Sequence, residues 1–262
     1  RIHSIVGITS LFAVSIIEKK KLDKLVDFKK RISWFEHYRL AHEKFWPNEE
    51  KTDGETILLS LIPRERLVSL LERLLNEEEF LSPGGIRALS KYHAKNPYSV
   101  TIDNINYTIQ YDPGDSTSNL FGGNSNWRGP VWMPINYLII QSIRKYGLFY
   151  GNALKVQCPA GSGNYLNLEE VADFLTQRVI SLFQPDASGA IPQYGNYNWF
   201  YQKPENRDLN LFYEYFHGDN GQGLGACQQT GWTALLAELI NEQQRRARES
   251  APAATPEITV VT

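Results

Sequence analysis

Methionine is nearly absent: Met133 is the only one in 262 residues. Position 1 is therefore not an initiator, and "RIHSIVGITSLFAVSII" enters an apolar stretch within four residues. We read the chain as a piece of a longer protein, so the lack of a leader says nothing about the parent's start. There are two cysteines, Cys158 and Cys227, far apart and at no metal-ligand spacing. That excludes a disulfide framework and fits a reducing, cytoplasmic setting. Charge of either sign is not in excess: 27 basic against 29 acidic residues give −2, so no basic field argues for nucleic acid or an anionic membrane. No run reaches the ~18 apolar residues of a membrane span, and Ile5–Ile17 is too short. Repeats of the solenoid kind are missing. So are His/Cys/Asp clusters with metal spacing and phosphate-binding glycine motifs; "GSG" at Gly161–Gly163 reads as a turn. Neither a metal nor a cofactor is called for.

Aromatic residues are plentiful: 14 Tyr, 12 Phe and 6 Trp, many of them beside Gly, Asn and Asp rather than in apolar runs. With 42% hydrophobic and 21% charged residues, the composition is that of a globular chain able to bury a core. Ser4–Lys20 is apolar on most faces and reads as a buried helix. Asp23–Phe45 follows, with Leu25, Phe28, Ile32, Phe35 and Tyr38 at helical spacing. After the polar break "WPNEEKTDGE", Arg64–Leu75 repeats the pattern. Pro83, Gly84 and Gly85 predict a loop, and the alternation in "YSVTIDNINYTIQY" predicts a β-hairpin about Asp103 and Asn104. Pro130–Tyr150 reads as a helix with prolines tolerated near its start. Asn167 is placed to cap a helix running to about Phe183, with Glu169 and Glu170 in its first turn. A long irregular stretch then leads to a last helix, Thr230–Arg248. The tail, residues 249–262, is read as flexible or a linker. About six helices joined by unequal loops, with the unusual residues in the long ones, fit an α-helical toroid with its functional loops on one face.

Two stretches carry the chemistry. "NLFGGNSNWRGPVWMPINYL" joins a Gly/Asn loop to an apolar helix and holds Phe121, Asn126, Trp127, Arg128, Gly129, Trp132 and Asn136. "FYEYFHGDNGQGLGACQQTGW" sets one carboxylate, Glu214, among Phe212, Tyr213, Tyr215 and Phe216, then a glycine-rich loop, then Trp232. A carboxylate in an aromatic wall is partly desolvated, which suits a general base. Flat aromatic faces pack on the C–H faces of sugar rings while Asn, Gln, Asp and Arg reach the hydroxyls. Read locally, blander roles stay open. Glu214 fits a solvent-facing strand carboxylate between buried aromatics, Arg128 a partner for a structural acid, the Trp pair a piece of core, and His217 a loop support.

"NWRGPVWMPINYL" resembles the Trp-Arg-Gly-Pro signature of glycoside hydrolase family 63, the processing α-glucosidase I family and its bacterial relatives. "FYEYFHGDNGQGLGACQQTGWTAL" is similar to that family's last active-site segment, and "EFLSPGGIRALSKYH" and "FGGNSNWRGP" resemble a cytosolic-type, mannosylglycerate hydrolase-like branch. The likeness runs from Arg1 to about Ile240. It implies an all-α fold. Residues 1–248 would form about half, the C-terminal half, of an (α/α)6 toroid with long active-site loops and a small β-hairpin insertion. It also implies inverting hydrolysis of α-glucosides or α-mannosides. There, an acid protonates the leaving oxygen and a carboxylate opposite activates water, the two standing roughly 6.5–9.5 Å apart. Glu214 falls where the family carries its base. Trp127, Arg128 and Trp132 match the signature lining the sugar subsite, with Phe121, Asn126, Gly129, Asn136, Tyr213 and Trp232 as further candidate contacts. The family's acid lies in an upstream segment not found here; Asp112, Asp115 and Asp219 lie in loops and none matches it. Cys227 and Gln228 stand where relatives often carry Ser-His.

Three readings follow. The first is a hydrolase supplying the base and part of a subsite for an oligosaccharide or small glycoside, partnered by the rest of the toroid and inactive as a fragment. The second is a non-catalytic carbohydrate-binding or structural piece. The third is a phosphorylase, which needs no base carboxylate; Glu214 argues against it, as does the lack of a basic pocket around Gly218–Gly225.

Overall fold

The computed structural model describes residues 2–42, 48–50, 54–120 and 125–250. Phe121 and residues 251–262 lie outside them, as do parts of the polar break after Phe45. The described residues form a predominantly helical structure with small antiparallel sheets.

The central element is the Met133–Tyr150 helix. Pro134 sits in its first turn, where a missing N–H costs no helical bond. It packs against the Leu168–Ser181 and Leu235–Ser250 helices and, on another side, against Ile5–Phe12 and Val14–Glu18. Ile139, Ile140, Ile143 and Tyr146 meet Val171, Leu175, Val179 and Leu239 in one core. Each such aliphatic contributes roughly 1.5–3 kcal/mol by leaving water. Arg144 crosses this helical face with little exposure, 2.7 Å from Asp173 and 3.3 Å from Thr176, so the helices are tied by charge as well as by packing.

Several elements stand as read from the sequence. The Arg64–Leu74 helix buries Leu67, Leu71 and Leu74. Tyr98–Ile102 pairs with Ile105–Ile109, with Asp103 and Asn104 both at positive φ, as a tight two-residue turn requires. Asn167 caps the Leu168–Ser181 helix and exchanges side-chain bonds with Glu170 in a capping box.

Others differ. Ser4–Lys20 is not one helix. Ile5–Phe12 is a 3-10 helix whose buried Ile5, Ile8 and Leu11 recur every three residues, the period of that helix. Val14–Glu18 is a strand, pairing antiparallel with Thr56–Ser60, which in turn pairs with Asn48–Glu50. Its β-branched and apolar residues suit a pleat, and the partner lies some forty residues on. The helix expected at Asp23–Phe45 runs Val26–Ala41, and Val26, Phe28, Trp34 and Tyr38 are exposed on it. "LSPGGI" makes a small hairpin, Leu81–Ser82 with Gly85–Ile86. The last helix is broken, Thr230–Thr233 then Leu235–Ser250. No helix among the described residues is long and apolar enough to cross a membrane.

Candidate active site

Three backbone segments lie side by side beneath the two unusual loops. Val131 exchanges hydrogen bonds with Phe216 at 2.8 and 2.9 Å, and Ala88 N–H reaches the Pro130 carbonyl at 2.9 Å. Alternation along these short strands sends Val131 and Phe216 into the main core. Trp132 and Tyr215 go to the opposite side, where they form a second, aromatic cluster with Ala88.

That cluster is a stack. Trp127 lies parallel to Trp132 with ring centroids 3.9 Å apart, and Tyr215 lies 4.8 Å from Trp132 on stacked geometry. Trp232 meets Trp132 edge-on at 5.9 Å. Trp132 is buried, and its indole N–H donates to the Asn126 carbonyl at 3.0 Å. Trp127 and Tyr213 are half-buried, and Trp232 is 37% exposed. Trp127 and Trp232 present aromatic surface with Trp132 behind them, while Tyr213 packs against the main core.

Glu214 stands beside this stack, half-buried. Ser125 Oγ donates to its Oε1 at 2.5 Å, and Ala226 N–H donates to Oε2 at 3.3 Å. Its own N–H reaches the Ala226 carbonyl at 2.8 Å. Among the described residues each carboxylate oxygen thus takes one protein donor, which leaves lone-pair capacity for a water or a hydroxyl. Gly225 is required here. At φ +70° an added Cβ would lie 2.7 Å from Glu214 Oε2.

Arg128 is 2% exposed, and four of its five side-chain N–H donors have partners among the described residues. Nη2 reaches Asp112 Oδ2 and Ser116 Oγ, both at 3.0 Å, Nε reaches Asn126 Oδ1 at 3.2 Å, and Nη1 bonds Ser118 Oγ. Asn126, also out of solvent, donates to the Asp112 and Gly114 carbonyls at 2.7 and 2.8 Å. Gly129 lets two chains touch, since a Cβ there would lie 2.9 Å from the Asp112 carbonyl oxygen. Asn136, 1% exposed, pairs with both Ile86 backbone groups and with the Trp132 carbonyl. Of the residues singled out in the Trp-Arg-Gly-Pro stretch, then, Trp127 faces outward, while Asn126, Arg128, Gly129, Trp132 and Asn136 build what lies beneath.

Several groups were not singled out in the sequence. Ser125 sits one residue before Asn126 and differs in no local signal from the other small residues of its loop. Arg87, buried, gathers Asp219 and Tyr111 at 3.0 Å and the Gly218 carbonyl at 3.1 Å, tying the glycine-rich turn down. Burial pushes the Tyr111 hydroxyl above its usual range, against the pull of Arg87. His217, which the sequence already marks as a loop support, accepts the Asp219 and Asn220 N–H groups on Nδ1 and so holds the same turn. Burial holds its pKa below 6.5. The Tyr215 hydroxyl is pushed up to about 12 by burial, then by Asp115 and by Glu214.

Two recesses elsewhere are less suited. One of about 360 Å³ is lined by Ile2, His3, Leu70, Arg73 and Phe80, and one of about 370 Å³ by Val100, Ile102, Tyr107 and Ile109. Both are mainly apolar and bring together no pair of carboxylates. Among the described residues no group of three His, Cys, Asp or Glu side chains could hold a metal ion. Cys158 is buried and Cys227 exposed, and both are free.

The chain is similar to three known proteins. It is 47% identical over 246 residues to the uncharacterized protein YMR196W of Saccharomyces cerevisiae, covering 92% of this chain and 22% of that one. It is 25% identical over 188 residues to a probable mannosyl-oligosaccharide glucosidase of Schizosaccharomyces pombe, covering 71% and 17%. Over 117 residues it is 26% identical to alpha-glucosidase 2 of Arabidopsis thaliana, covering 45% and 11%. It therefore spans about a fifth or less of these relatives' lengths. No family model matches the chain. The resemblance drawn from the motifs is borne out by two relatives with glucosidase names: the chain is glycoside hydrolase family 63-like.

Proposed function

We propose that this chain supplies part of the active site of an inverting α-glycosidase acting on α-glucosides or α-mannosides, with Glu214 as its general base. The observation that carries the reading is the setting of Glu214. It is a half-buried carboxylate beside stacked aromatic rings, with one donor on each oxygen and a glycine giving it room. A base must be held in orientation yet remain open to water, and this arrangement meets both needs. The glucosidase names of the relatives support the reaction class.

In this reading Trp127, Tyr213 and Trp232 face the sugar, with Phe121 as a further contact. Trp132 backs the platform, and Asn126, Arg128, Gly129 and Asn136 hold the loops that form it. Glu214 takes a proton from a water as that water attacks the anomeric carbon, and the glycosidic bond breaks on the opposite face. The leaving oxygen receives its proton from an acid in the upstream part of the protein. Residues 1–248 belong with that part in an (α/α)6 toroid. The two free cysteines support a reducing, cytoplasmic setting.

The test is turnover of a panel of α-glucosides and α-mannosides by the full-length protein and its Glu214→Gln variant. The variant should lose roughly 10²- to 10⁴-fold in kcat while keeping its fold. Equal turnover by both removes Glu214 from the chemistry.

A further inference from the structure

The buried Arg128 and Asn126 do not reach outward, yet they hold a neighbouring loop at nearly every second residue. Asp112 is bound through its carboxylate by Arg128 and through its carbonyl by Asn126. The Gly114 carbonyl is bound by Asn126, and the Ser116 and Ser118 hydroxyls by Arg128. Thr117 folds back onto Asp112, its hydroxyl 2.6 Å from Oδ2. Between these anchors stands Asp115, exposed. Its Oδ1 lies 3.4 Å from the hydroxyl of Tyr215, the residue that follows Glu214. The Tyr215 ring is itself fixed, buried and stacked on Trp132. So a second carboxylate is held at the hydroxyl of Tyr215, which also feels the Glu214 charge, by a loop bonded at Asp112, Gly114, Ser116 and Ser118.

The contact with Tyr215 is long for an O–H···O bond, whose usual range ends near about 3.0 Å. Asp115 is therefore only loosely engaged there. A carboxylate has about four acceptor sites and so retains capacity for donors arriving from outside. Sugars present such donors as hydroxyls on adjacent carbons, spaced for the two oxygens of one carboxylate.

We propose that Asp115 is a substrate-contacting residue of this site, its carboxylate accepting hydrogen bonds from sugar hydroxyls, with Arg128 and Asn126 as the positioning residues that present it. This rests on the reading of the site as a sugar site.

The test uses the full-length protein in a Glu214→Gln background, so that ligand is not consumed. Binding of methyl α-glucoside and methyl α-mannoside, and of their monodeoxy analogues, is measured by calorimetry with and without Asp115→Asn. Asp115→Asn should weaken the better-bound glycoside roughly 10- to 100-fold, the range for a lost hydrogen bond to a charged group. It should add little to the loss from one deoxy analogue, because the same bond is already gone. With Glu214 restored, KM should rise more than kcat falls. Unchanged melting would show the fold intact, as expected for an exposed side chain. Undiminished binding by Asp115→Asn, with Glu214→Gln still inactive, overturns this proposal and leaves the hydrolase reading standing. Equal weakening of every deoxy analogue also overturns it. If wild type neither binds nor turns over any glycoside, both fall together.

Discussion

The Arg128 guanidinium lies 3.0 Å from the Asp112 carboxylate, with both side chains largely withdrawn from solvent. This pair gives the Trp-Arg-Gly-Pro stretch its function of holding one loop against another. Removing one partner of a buried pair leaves an uncompensated charge, at a cost of about 3–5 kcal/mol. Arg128→Ala should therefore lower stability by that order in denaturant titration. It should also speed amide exchange over residues 112–118 and depress turnover. Normal exchange in that loop would remove the positioning role.

Gly225 carries a steric condition on Glu214 itself. Gly225→Ala sets a methyl 2.7 Å from Glu214 Oε2 at a backbone angle that disfavours any side chain. A displacement of about 1 Å at a reacting group costs on the order of 10²-fold in rate. Gly231→Ala, where the added Cβ meets nothing within 4 Å, is the control and should be near wild type. Equal activity of the two variants would place Glu214 outside the chemistry.

Asn136 separates support from contact. Its side chain satisfies both backbone groups of Ile86. Asn136→Ala leaves them buried and unmatched, about 1–3 kcal/mol for each lost partner. The expected result is a lower melting temperature with sugar affinity of the folded fraction little changed. Loss of affinity without loss of stability would make Asn136 a direct contact.

His217 gives a pH dependence with a definite sign. Burial lowers its pKa from 6.5 in the folded state, against the opposing pull of Asp219, Asp112 and Asp115. The unfolded chain then binds the proton first as pH falls. The stabilising contribution is complete above about 6.5 and is lost progressively from there down to the folded pKa. Protonation also ends the acceptor role of Nδ1 toward Asp219 and Asn220. His217→Asn should flatten the fall in melting temperature between pH 7.5 and 5. An unchanged slope would assign that dependence to other groups.

Local patterns proved readable where their causes are local. The Asp103-Asn104 turn, the Asn167 cap and the leucine stripe of Arg64–Leu74 depend on residues within one or two turns. Val14–Glu18 reads as helix from the sequence because its partner, Thr56–Ser60, is remote and no nearby residue signals it. The same limit applies at the site. The aromatic residues flanking Glu214 account for its half-buried setting, while the role proposed for it comes from the resemblance. That Arg128 turns inward depends on Asp112, Ser116 and Ser118, which lie 10 to 16 residues upstream. Loop composition alone cannot say which way an arginine faces. Asp115 had no motif to mark it; its place follows from those anchors and from Tyr215 across the chain.

The most direct measurement is the configuration of the first sugar released, followed by proton NMR as the full-length protein acts on an α-glucoside. The account predicts that the β-anomer appears first and mutarotates later, and that Glu214→Gln binds the glycoside without releasing it. Release of the α-anomer first, or unimpaired release by Glu214→Gln, would contradict Glu214 as the base of an inverting hydrolysis.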